Sequence, residues 1–384
     1  MSRIPVFNPV IEDEEINAAV KSLENKWLGM GASVGEFEKS LEDFLGCENH
    51  HAVAVSTGHA ALHLSMMLIG LGPGDEVITP SFNNIADFQA IIAVGASPVL
   101  CDIDESTLCI DLCKAEKLIS KKTKAIIVMD YDCCLVDHDK VRKIAEKYNI
   151  RVIHDAAHSF GSSYKEKKIG TFSDICMFSF DPVKTITCID GGALIVKTKK
   201  EVELLHQMRL IGMGQSAEVM YGNKRAWTYG VERLGFRYHM ANLHAAIGLQ
   251  QLAKMSKITH TRQKACKLYS ELLRDVPNVT IPESDFYNIT PFLYYIRVPE
   301  SKRQFLREFL EEHNVDTGIH WQPGHTFKLL EGVKKGNLKV TNIVSKQILS
   351  LPLHSMMDMS TVKYICEVIS RYFINSQLEA SLKK

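Results

Sequence analysis

The sequence predicts an α/β protein in which a mostly parallel β-sheet is flanked by helices. Short β-rich runs at residues 98–103, 125–129 and 152–155 are separated by segments whose apolar residues follow helical spacing. Strands that alternate with helices favour a parallel sheet with right-handed crossovers and helices on both faces. With 384 residues and 46% hydrophobic content, the chain is long enough for two domains. We expect a large domain over residues 1–248 and a smaller C-terminal α+β domain over residues 249–384.

Two helices are predicted before the first strand. Trp27 lies beside glycines in the linker between them, where simple packing is one explanation for it. The apolar residues that follow helical spacing are Ile16, Ala19, Val20 and Leu23 in the first helix, and Phe37, Leu41 and Phe44 in the second.

The first predicted strand, residues 53–55, leads into a turn of small residues. Ser56, Thr57 and Gly58 form this turn, and a helix begins at its end. A strand, a turn and a helix amino terminus make an anion site, because free backbone amides and the helix dipole favour negative charge. The alternative is an ordinary capped helix, since Ser and Thr are common caps.

The stretch from residue 151 to residue 196 gathers an acid, a hydroxyl and a lysine near strand ends. Asp155 ends one apolar run, Ser179 ends a second, and Lys184 follows before a Gly-Gly turn and a third strand. Open α/β sheets bind ligands at the carboxyl ends of their strands. Pyridoxal phosphate (PLP) needs a lysine for its Schiff base, an acid for its pyridine nitrogen and a hydroxyl for its phosphate. Taken singly, these residues also fit a turn, a cap and a surface charge.

The composition favours a small ligand and a reducing compartment. Basic and acidic residues number 45 each, so no charged surface for nucleic acid is indicated. The ten cysteines show no zinc spacing, so we expect neither a metal nor a disulfide framework. No stretch is apolar for long enough to cross a bilayer, and the first residues lack a basic segment followed by an apolar one. We therefore expect a cytoplasmic protein without membrane or nucleic-acid partners.

Three motifs in this chain resemble one protein family. HDAAHSFG, GTFSDICMFSFDPVK and DGGALIV, in this order, are similar to motifs of the DegT/DnrJ/EryC1/StrS family. These are sugar-nucleotide aminotransferases of PLP fold type I. The similarity covers residues 27–352 and is strongest over residues 56–192. It implies PLP as the cofactor, a homodimer with shared active sites, and amino transfer from L-glutamate to a keto sugar on a nucleoside diphosphate.

The resemblance implies roles for the residues around the cofactor ring. Lys184 would form the Schiff base and then move a proton between the amino donor and the cofactor. Asp155 would pair with the pyridine nitrogen. His158 matches a family Gln or His that contacts the ring hydroxyl.

The resemblance also places the PLP phosphate at the turn after the first strand. The phosphate would be held by the Ser179 hydroxyl and by the backbone amides of Gly58 and His59. The motif GFRYHM resembles the family's G-x-N-Y-R-M, whose Asn reaches across a dimer interface to the phosphate in the other subunit. Arg237 stands at this Asn position, and arginine is a stronger, often bidentate phosphate ligand. The alternative for Arg237 is a surface charge.

Asn84 is the largest departure from the family pattern. Relatives commonly carry Trp, Phe or Tyr at this position, and that aromatic stacks on the cofactor ring. Asn84 would contact the ring edge or the substrate, or a neighbour such as Phe82 would supply the stacking surface, although alternation favours a core position for Phe82. His59 stands where the family usually has Thr, and Asp130 stands where it has His.

Three residues are expected near the sugar. The resemblance places Trp27 near the sugar-nucleotide site, and residues 318–325 resemble the family segment that faces the sugar. Unperturbed histidines such as His320 and His325 titrate near neutral pH. Polar contacts or packing explain this pair better than joint catalysis.

Lys184 favours transamination over dehydration, because family members that act as sugar 3-dehydratases carry His at this position. The segment around Asp137 and the GFRYHM motif are most similar to members that act on 4-keto-6-deoxy sugars. We therefore expect a 4-keto-6-deoxyhexose substrate and a role in amino-sugar synthesis for lipopolysaccharide O-antigen, another polysaccharide or a glycoside. The alternatives are a 3-keto sugar aminotransferase, a sugar dehydratase, an amino-acid transaminase, and a binding or regulatory protein that kept the fold without turnover.

Overall fold

A seven-stranded sheet lies at the centre of the structure, a computed structural model that describes residues 2–284 and 286–382. The strands are β1 (His51–Val55), β2 (Glu76–Pro80), β3 (Ser97–Cys101), β4 (Thr123–Met129), β5 (Arg151–Asp155), β6 (Ser163–Tyr164), β7 (Lys167–Lys168), β8 (Ile175–Ser179), β9 (Gly192–Val196), β10 (Met213–Gly214), β11 (Gly230–Val231), β12 (Tyr294–Arg297) and β13 (Ile348–Leu351).

Helices cover the sheet and build most of the C-terminal part. They are α1 (Asp13–Glu24), α2 (Ala32–Leu45), α3 (Gly58–Ile69), α4 (Ile85–Ala93), α5 (Leu112–Leu118), α6 (His138–Tyr148), α7 (Lys199–Met208), α8 (Ala217–Tyr221), α9 (Asn242–Ala253), α10 (Met255–Leu273), α11 (Glu300–Glu312), α12 (Lys339–Gln347) and α13 (Met359–Leu382). Among the residues described, none of these helices combines the length and apolar character needed to span a membrane.

The large sheet is mostly parallel, which confirms the prediction. Its strand order is β1, β9, β8, β5, β4, β2, β3. The pairs β2–β3, β2–β4, β4–β5 and β5–β8 are parallel, whereas β9 is antiparallel to both β1 and β8. The carboxyl ends of β4, β5 and β8 therefore meet at one edge of the sheet.

Side chains on the two faces of the sheet pack against different helices. Helices α2 and α9 contribute to the apolar cluster on one face, and α3 contributes to the cluster on the other face. This alternation along each strand is the pleated pattern of a sheet buried on both sides. The first face includes Ala54, Phe178 and Ile195, and the second includes Val53, Ile175 and Leu194.

Small polar residues start the helices that follow two of the strands. Thr57 accepts a hydrogen bond from the Ala60 amide at the start of α3, and Asn84 accepts one from the Ala86 amide at the start of α4, each at 2.9 Å. Such caps satisfy amides that have no intrahelical acceptor. They place the amino termini of both helices beside the carboxyl edge of the sheet.

The C-terminal part has its own apolar cluster. Strands β12 and β13 form an antiparallel pair, and side chains of α10, α11 and α13 pack around it. Ile4 joins this cluster, and its amide donates to the Asn314 carbonyl at 2.8 Å. The predicted boundary between residues 248 and 249 falls inside α9, and the division into two domains stays a prediction.

The first predicted helix, α1, is present, but its apolar side chains point away from the protein. Ile16, Val20 and Leu23 are 52%, 49% and 51% exposed. The buried residues of this helix are the polar Glu15 and Ser22, and the Glu15 carboxylate accepts hydrogen bonds from Gln251 and Lys254, both at 2.8 Å. The spacing of the apolar residues thus predicted the helix correctly. The buried contact between Glu15 and Lys254 determines which side of the helix faces the rest of the protein.

Candidate active site

A cavity of about 630 Å³ opens at the carboxyl edge of the large sheet. Its walls come from the large sheet and its helices on one side and from the C-terminal part on the other. Most of the residues predicted from the sequence to bind the cofactor or substrate line this one cavity: Gly58, His59, Asn84, Asp155, His158, Ser179, Lys184 and His320.

The sheet explains why the predicted acid and hydroxyl come together. Asp155 is the last residue of β5 and Ser179 is the last residue of β8. The two strands are parallel neighbours, and Asp155 pairs with Met177. Both side chains therefore reach the cavity from adjacent strand ends.

The amino terminus of α3 forms one end of the cavity. Helix geometry leaves the first amides of α3 without an intrahelical acceptor, and Thr57 takes the amide of Ala60. Gly58 and Ser179 approach so closely that a Cβ atom on Gly58 would lie 2.7 Å from the Ser179 Cβ atom. A Cβ atom on Gly192 would lie 2.5 Å from the Thr57 carbonyl oxygen. This end therefore requires glycine at two positions and offers backbone donors to an anion.

Lys184 reaches the cavity from a tight turn after β8. The Asp181 side chain accepts a hydrogen bond from the Val183 amide, and the Asp181 carbonyl accepts one from the Lys184 amide, both at 3.0 Å. The Lys184 Nζ atom lies 4.3 Å from the centre of the Phe292 ring. Burial lowers the pKa of Lys184, although the nearby Asp155 opposes this shift. The lowered pKa increases the fraction of neutral amine, which is the form that reacts as a nucleophile or base.

His158 lines the cavity and lies next to three other side chains. Its Nδ1 atom lies 2.9 Å from a carboxylate oxygen of Asp132. Its ring centre lies 4.4 Å from that of Phe292 and 5.7 Å from that of Trp321. Burial and the charge of Lys184 lower the pKa of His158 well below its usual value. Burial raises the pKa of Asp132 to about 8, against the pull of Lys184.

Asp130 lies at the same edge of the sheet, with two histidines beside its carboxylate. Its two oxygens lie 2.7 Å from the His154 Nε2 atom and 3.2 Å from the His138 Nε2 atom. The Val136 amide also donates to this carboxylate at 2.9 Å, and His154 contacts the Ser173 hydroxyl at 2.9 Å. The three side chains resemble a metal-ligand set, since one ligand atom from each lies within 4.8 Å of the others. A hydrogen bond joins Asp130 to His154, and the close approach of His138 to the same carboxylate completes the arrangement.

Asn84 lines the cavity, but its side-chain oxygen is occupied by the cap of α4. Phe82 is fully buried and stacks on Tyr131 with ring centres 5.5 Å apart, so it lies in the core as alternation favoured. His59 also lines the cavity, and burial lowers the pKa of its side chain. The aromatic side chains that line the cavity are Phe292 and Trp321 from the C-terminal part and Phe7 from the N-terminal segment.

His320 faces the cavity, and its Nδ1 atom contacts the Ser350 hydroxyl at 2.9 Å. Burial and the charge of Lys184 lower the pKa of His320 to about 4, so this ring is neutral at physiological pH. A neutral histidine here offers a polar contact to a ligand without adding charge.

Three predicted residues lie outside this cavity within one chain. The Trp27 ring donates to the Met30 carbonyl at 2.9 Å. Arg237 is exposed. His325 has both ring nitrogens engaged, by Ser81 at 2.8 Å and Asn342 at 2.9 Å. Their roles in binding the sugar or the phosphate stay predictions.

Sequence reasoning did not single out several groups that the structure brings to the site. Asp87 and Asp132 are buried acids beside Asp155 and His158, and each has an ordinary loop or helix position in the sequence. Phe292 lies two residues before β12, and Trp321 lies next to the predicted His320. Two local signals for these groups are present in the sequence: Asp132 stands within DYDCC, and Trp321 stands beside His320.

Comparisons with known proteins identify relatives of this chain. A model of the DegT/DnrJ/EryC1/StrS aminotransferase family matches residues 9–370. The chain is 32% identical over 375 residues to SpsC of Bacillus subtilis (strain 168), a spore coat polysaccharide biosynthesis protein. The match covers 95% of this chain and 96% of SpsC.

Two solved structures are similar over almost the whole chain. Helicobacter pylori PseC, an aminotransferase involved in the biosynthesis of pseudoaminic acid, has a TM-score of 0.89 at 25% identity. That match covers 97% of this chain and 100% of PseC. DesV of S. venezuelae has a TM-score of 0.88 at 26% identity and covers 97% of this chain and 99% of DesV.

Proposed function

Since the chain belongs to the DegT/DnrJ/EryC1/StrS aminotransferase family, it is a PLP-dependent aminotransferase of sugars, and we propose that it transfers the amino group of L-glutamate to a keto sugar linked to a nucleoside diphosphate. The proposed sugar is a 4-keto-6-deoxyhexose, and its product serves the synthesis of an O-antigen, another surface polysaccharide or a glycoside. The roles of SpsC in spore coat polysaccharide and of PseC in pseudoaminic acid synthesis support this class of product. The observation that carries the proposal is that Lys184 and Asp155 share one cavity with an anion cradle.

The residues that line the cavity fit PLP. Asp155 is a buried carboxyl group that suits a protonated ring nitrogen. The closely packed cradle of Gly58 and Ser179, at the amino terminus of α3, suits the phosphate. Lys184 supplies an amine of lowered pKa for the aldehyde. When bound, PLP supplies a carbonyl that exchanges amines and a ring that withdraws electrons from the reacting carbon.

Each residue then has a distinct task in the reaction. Lys184 would move the proton between the Cα atom of the amino donor and the aldehyde carbon of PLP. Asp155 holds the proton on the ring nitrogen, which keeps the ring electron-poor. His158 lines the cavity with its Nδ1 atom 2.9 Å from Asp132, and it suits a contact to the ring hydroxyl. The aromatic walls exclude water from the reacting atoms.

We also infer a cytoplasmic homodimer in which each chain completes the phosphate site of the other. Arg237 is exposed and lies outside the cavity of its own chain. Near it in sequence, Trp227 is 85% exposed and Leu234 is 72% exposed, which leaves apolar surface for a second copy to cover. The ten free cysteines support a reducing compartment.

Borohydride reduction tests the assignment of Lys184. It should fix PLP covalently on Lys184, as peptide mass spectrometry would show, and Lys184→Ala should abolish this link and the formation of 2-oxoglutarate from glutamate. Lys168→Ala is the control and should keep both. Covalent PLP on Lys168 in the wild-type protein would contradict the assignment.

A panel of nucleotide-linked 4-keto and 3-keto sugars tests the substrate. We expect glutamate-dependent amination of 4-keto-6-deoxy sugars, and preference for a 3-keto sugar would contradict that part of the proposal. Mixing a Lys184→Ala protein with an Arg237→Ala protein tests the shared site. Activity should partly return in the mixture, because hybrid dimers contain one site with both residues intact, and no recovery would favour a surface role for Arg237.

A further inference from the structure

A second acid, Asp87, lies behind Asp155, and both carboxyl groups are buried. Asp87 belongs to α4 and is 0% exposed, whereas Asp155 ends β5 and is 3% exposed. The two side chains are in hydrogen-bonding contact. Two carboxyl groups in contact and out of water cannot both be ionised without a large cost, because like charges repel strongly there.

The hydrogen-bond donors around Asp87 and Asp155 bind each acid separately and do not explain the contact between the two. The Ala157 amide donates to the Asp155 Oδ1 atom at 3.0 Å, and the Asn83 side-chain amide donates to the Asp87 Oδ2 atom. The Asn83 oxygen is itself occupied by the Asn84 amide at 2.7 Å. Among the described residues, the Asp87 Oδ1 atom is buried without a partner. Ionised carboxylates only accept hydrogen bonds, so a hydrogen bond between these two acids requires a proton on one of them.

We propose that Asp87 and Asp155 share one proton, with Asp87 as the neutral acid that donates a hydrogen bond to the Asp155 carboxylate. Asp87 is then a positioning residue: it fixes the orientation of the Asp155 carboxylate and holds its negative charge toward the cavity. The proton lies mainly on Asp87, because the charged groups that favour ionisation are nearer to Asp155.

The surroundings of the two acids support this division. Lys184, from the turn after β8, and His154, from β5, both act on Asp155 and favour its charged form. Asp87 has Asn83 as its other hydrogen-bonding neighbour, and burial raises the pKa of Asp87 well above its usual value. Burial also raises the pKa of Asp155, but the Ala157 amide and Lys184 oppose that shift.

The pH dependence of stability tests the shared proton in the protein without cofactor, so this test is independent of the sugar and the amino donor. An acid that keeps its proton in the folded state, and releases it near pH 4 when unfolded, makes the folded protein less stable as pH rises above about 4. Asp87→Asn keeps a neutral donor at every pH and removes this loss. We therefore expect the Tm of the wild-type protein to fall relative to that of Asp87→Asn between pH 5 and pH 8.

A packing defect in the Asn variant would change the Tm by a similar amount at each pH and would leave this trend intact. A Tm difference that does not change with pH would overturn the proposal. Infrared difference spectra add a direct readout in an Asp132→Asn background, which removes the other buried acid, whose pKa is about 8. The carbonyl band of a protonated carboxyl group should be present in Asp132→Asn and absent from the double variant with Asp87→Asn. The persistence of that band in the double variant would place the proton elsewhere and would also overturn the proposal.

Cofactor affinity tests the positioning role, and this arm depends on the proposed PLP site. Asp87→Ala removes the donor and should weaken PLP binding about tenfold, which corresponds to one lost hydrogen bond to a charged group. Asp87→Asn should bind PLP within about threefold of the wild-type protein, as measured by fluorescence titration. Equal affinity in Asp87→Ala and the wild-type protein would show that Asp87 does not act through Asp155. Failure of the wild-type protein to bind PLP would instead reject the proposed function and leave the pH test of the shared proton valid.

Discussion

Asp130 and Asp132 lie two residues apart after β4, and both carboxyl groups are buried, yet their surroundings shift the two pKa values in opposite directions. Asp130 has His154 at 2.7 Å, His138 at 3.2 Å and the Val136 amide at 2.9 Å. These partners hold the pKa of Asp130 far below its usual value in spite of burial. Asp132 has His158 at 2.9 Å, and burial raises its pKa to about 8.

The difference lies in the donors that each acid meets. Burial alone disfavours a charged carboxylate at both positions. Two histidines and an amide stabilise the charge on Asp130, whereas the single histidine beside Asp132 faces Lys184, whose charge discourages its protonation. One edge of one sheet therefore holds both an ionised acid that ties strands together and acids that keep their protons near the cavity.

The largest expected effect follows from removing the acid that has the most donors. Asp130→Leu leaves the His154 ring and the Val136 amide buried without their acceptor and should lower the free energy of unfolding by about 1–3 kcal/mol for each of these groups, the usual cost of a buried unsatisfied donor. Urea denaturation at pH 7 measures this change. Asp139→Asn, which alters an acid on the protein surface, is the control and should leave the midpoint close to that of the wild-type protein. A small loss for Asp130→Leu would show that its partners contribute little.

The second effect tests the opposite pKa shifts. Asp132 has a folded pKa of about 8 and an unfolded pKa of about 3.9, so the folded protein retains a proton that the unfolded chain has released between these values. The stability of the wild-type protein relative to Asp132→Asn should therefore fall by up to about 1.4 kcal/mol per pH unit in this window. Denaturation at pH 5, 6, 7 and 8 checks this slope.

The comparison with Asp130→Asn should show no such slope between pH 5 and pH 8. The folded pKa of Asp130 is lowered, so its contribution to stability is present above about pH 4 and is lost as pH falls further. The stability difference between the wild-type protein and Asp130→Asn should therefore stay constant from pH 5 to pH 8. Equal slopes of stability against pH for the two variants would contradict the opposite pKa shifts of the two acids.

The smallest effect concerns the link from Asp132 to the cavity. His158→Gln should weaken PLP binding by about 0.5–1.5 kcal/mol, the typical contribution of one hydrogen bond. If Asp132 acts by orienting His158, the double variant with Asp132→Asn should weaken binding by less than the sum of the single changes. Fluorescence titration measures all three affinities, and additive losses would show that the two residues act separately.

The parts of the site that follow strand ends were predictable from the sequence, because their signals are local. Asp155, Ser179 and Lys184 follow apolar runs and precede a Gly-Gly turn, and the structure brings them into one cavity. The acid pairs were not predictable, since Asp87 meets Asp155 only when α4 packs against the end of β5. A lone aspartate in a helix has no feature in the sequence that distinguishes it from a surface residue.

The fold shows the same limit of local reasoning. The parallel sheet follows from alternating strands and helices, because each strand needs a crossover before its parallel neighbour. The outward face of α1 does not follow from spacing, since a distant lysine, Lys254, binds Glu15 and turns the apolar residues away. The walls at Phe292 and Trp321 come from a part of the chain far from the motifs, and their placement depends on how the C-terminal part packs.

The position of β9 also sets an order of events during synthesis on the ribosome. Residues 51–55 are made early, but their ladder partner is β9, and Val55 pairs with Gly192. The early strand therefore lacks its ladder partner until residue 196 has left the exit tunnel, and distant pairings of this kind slow folding. Because β9 lies between β1 and β8, its pairing joins the strand that leads to Thr57 to the strand that precedes Lys184.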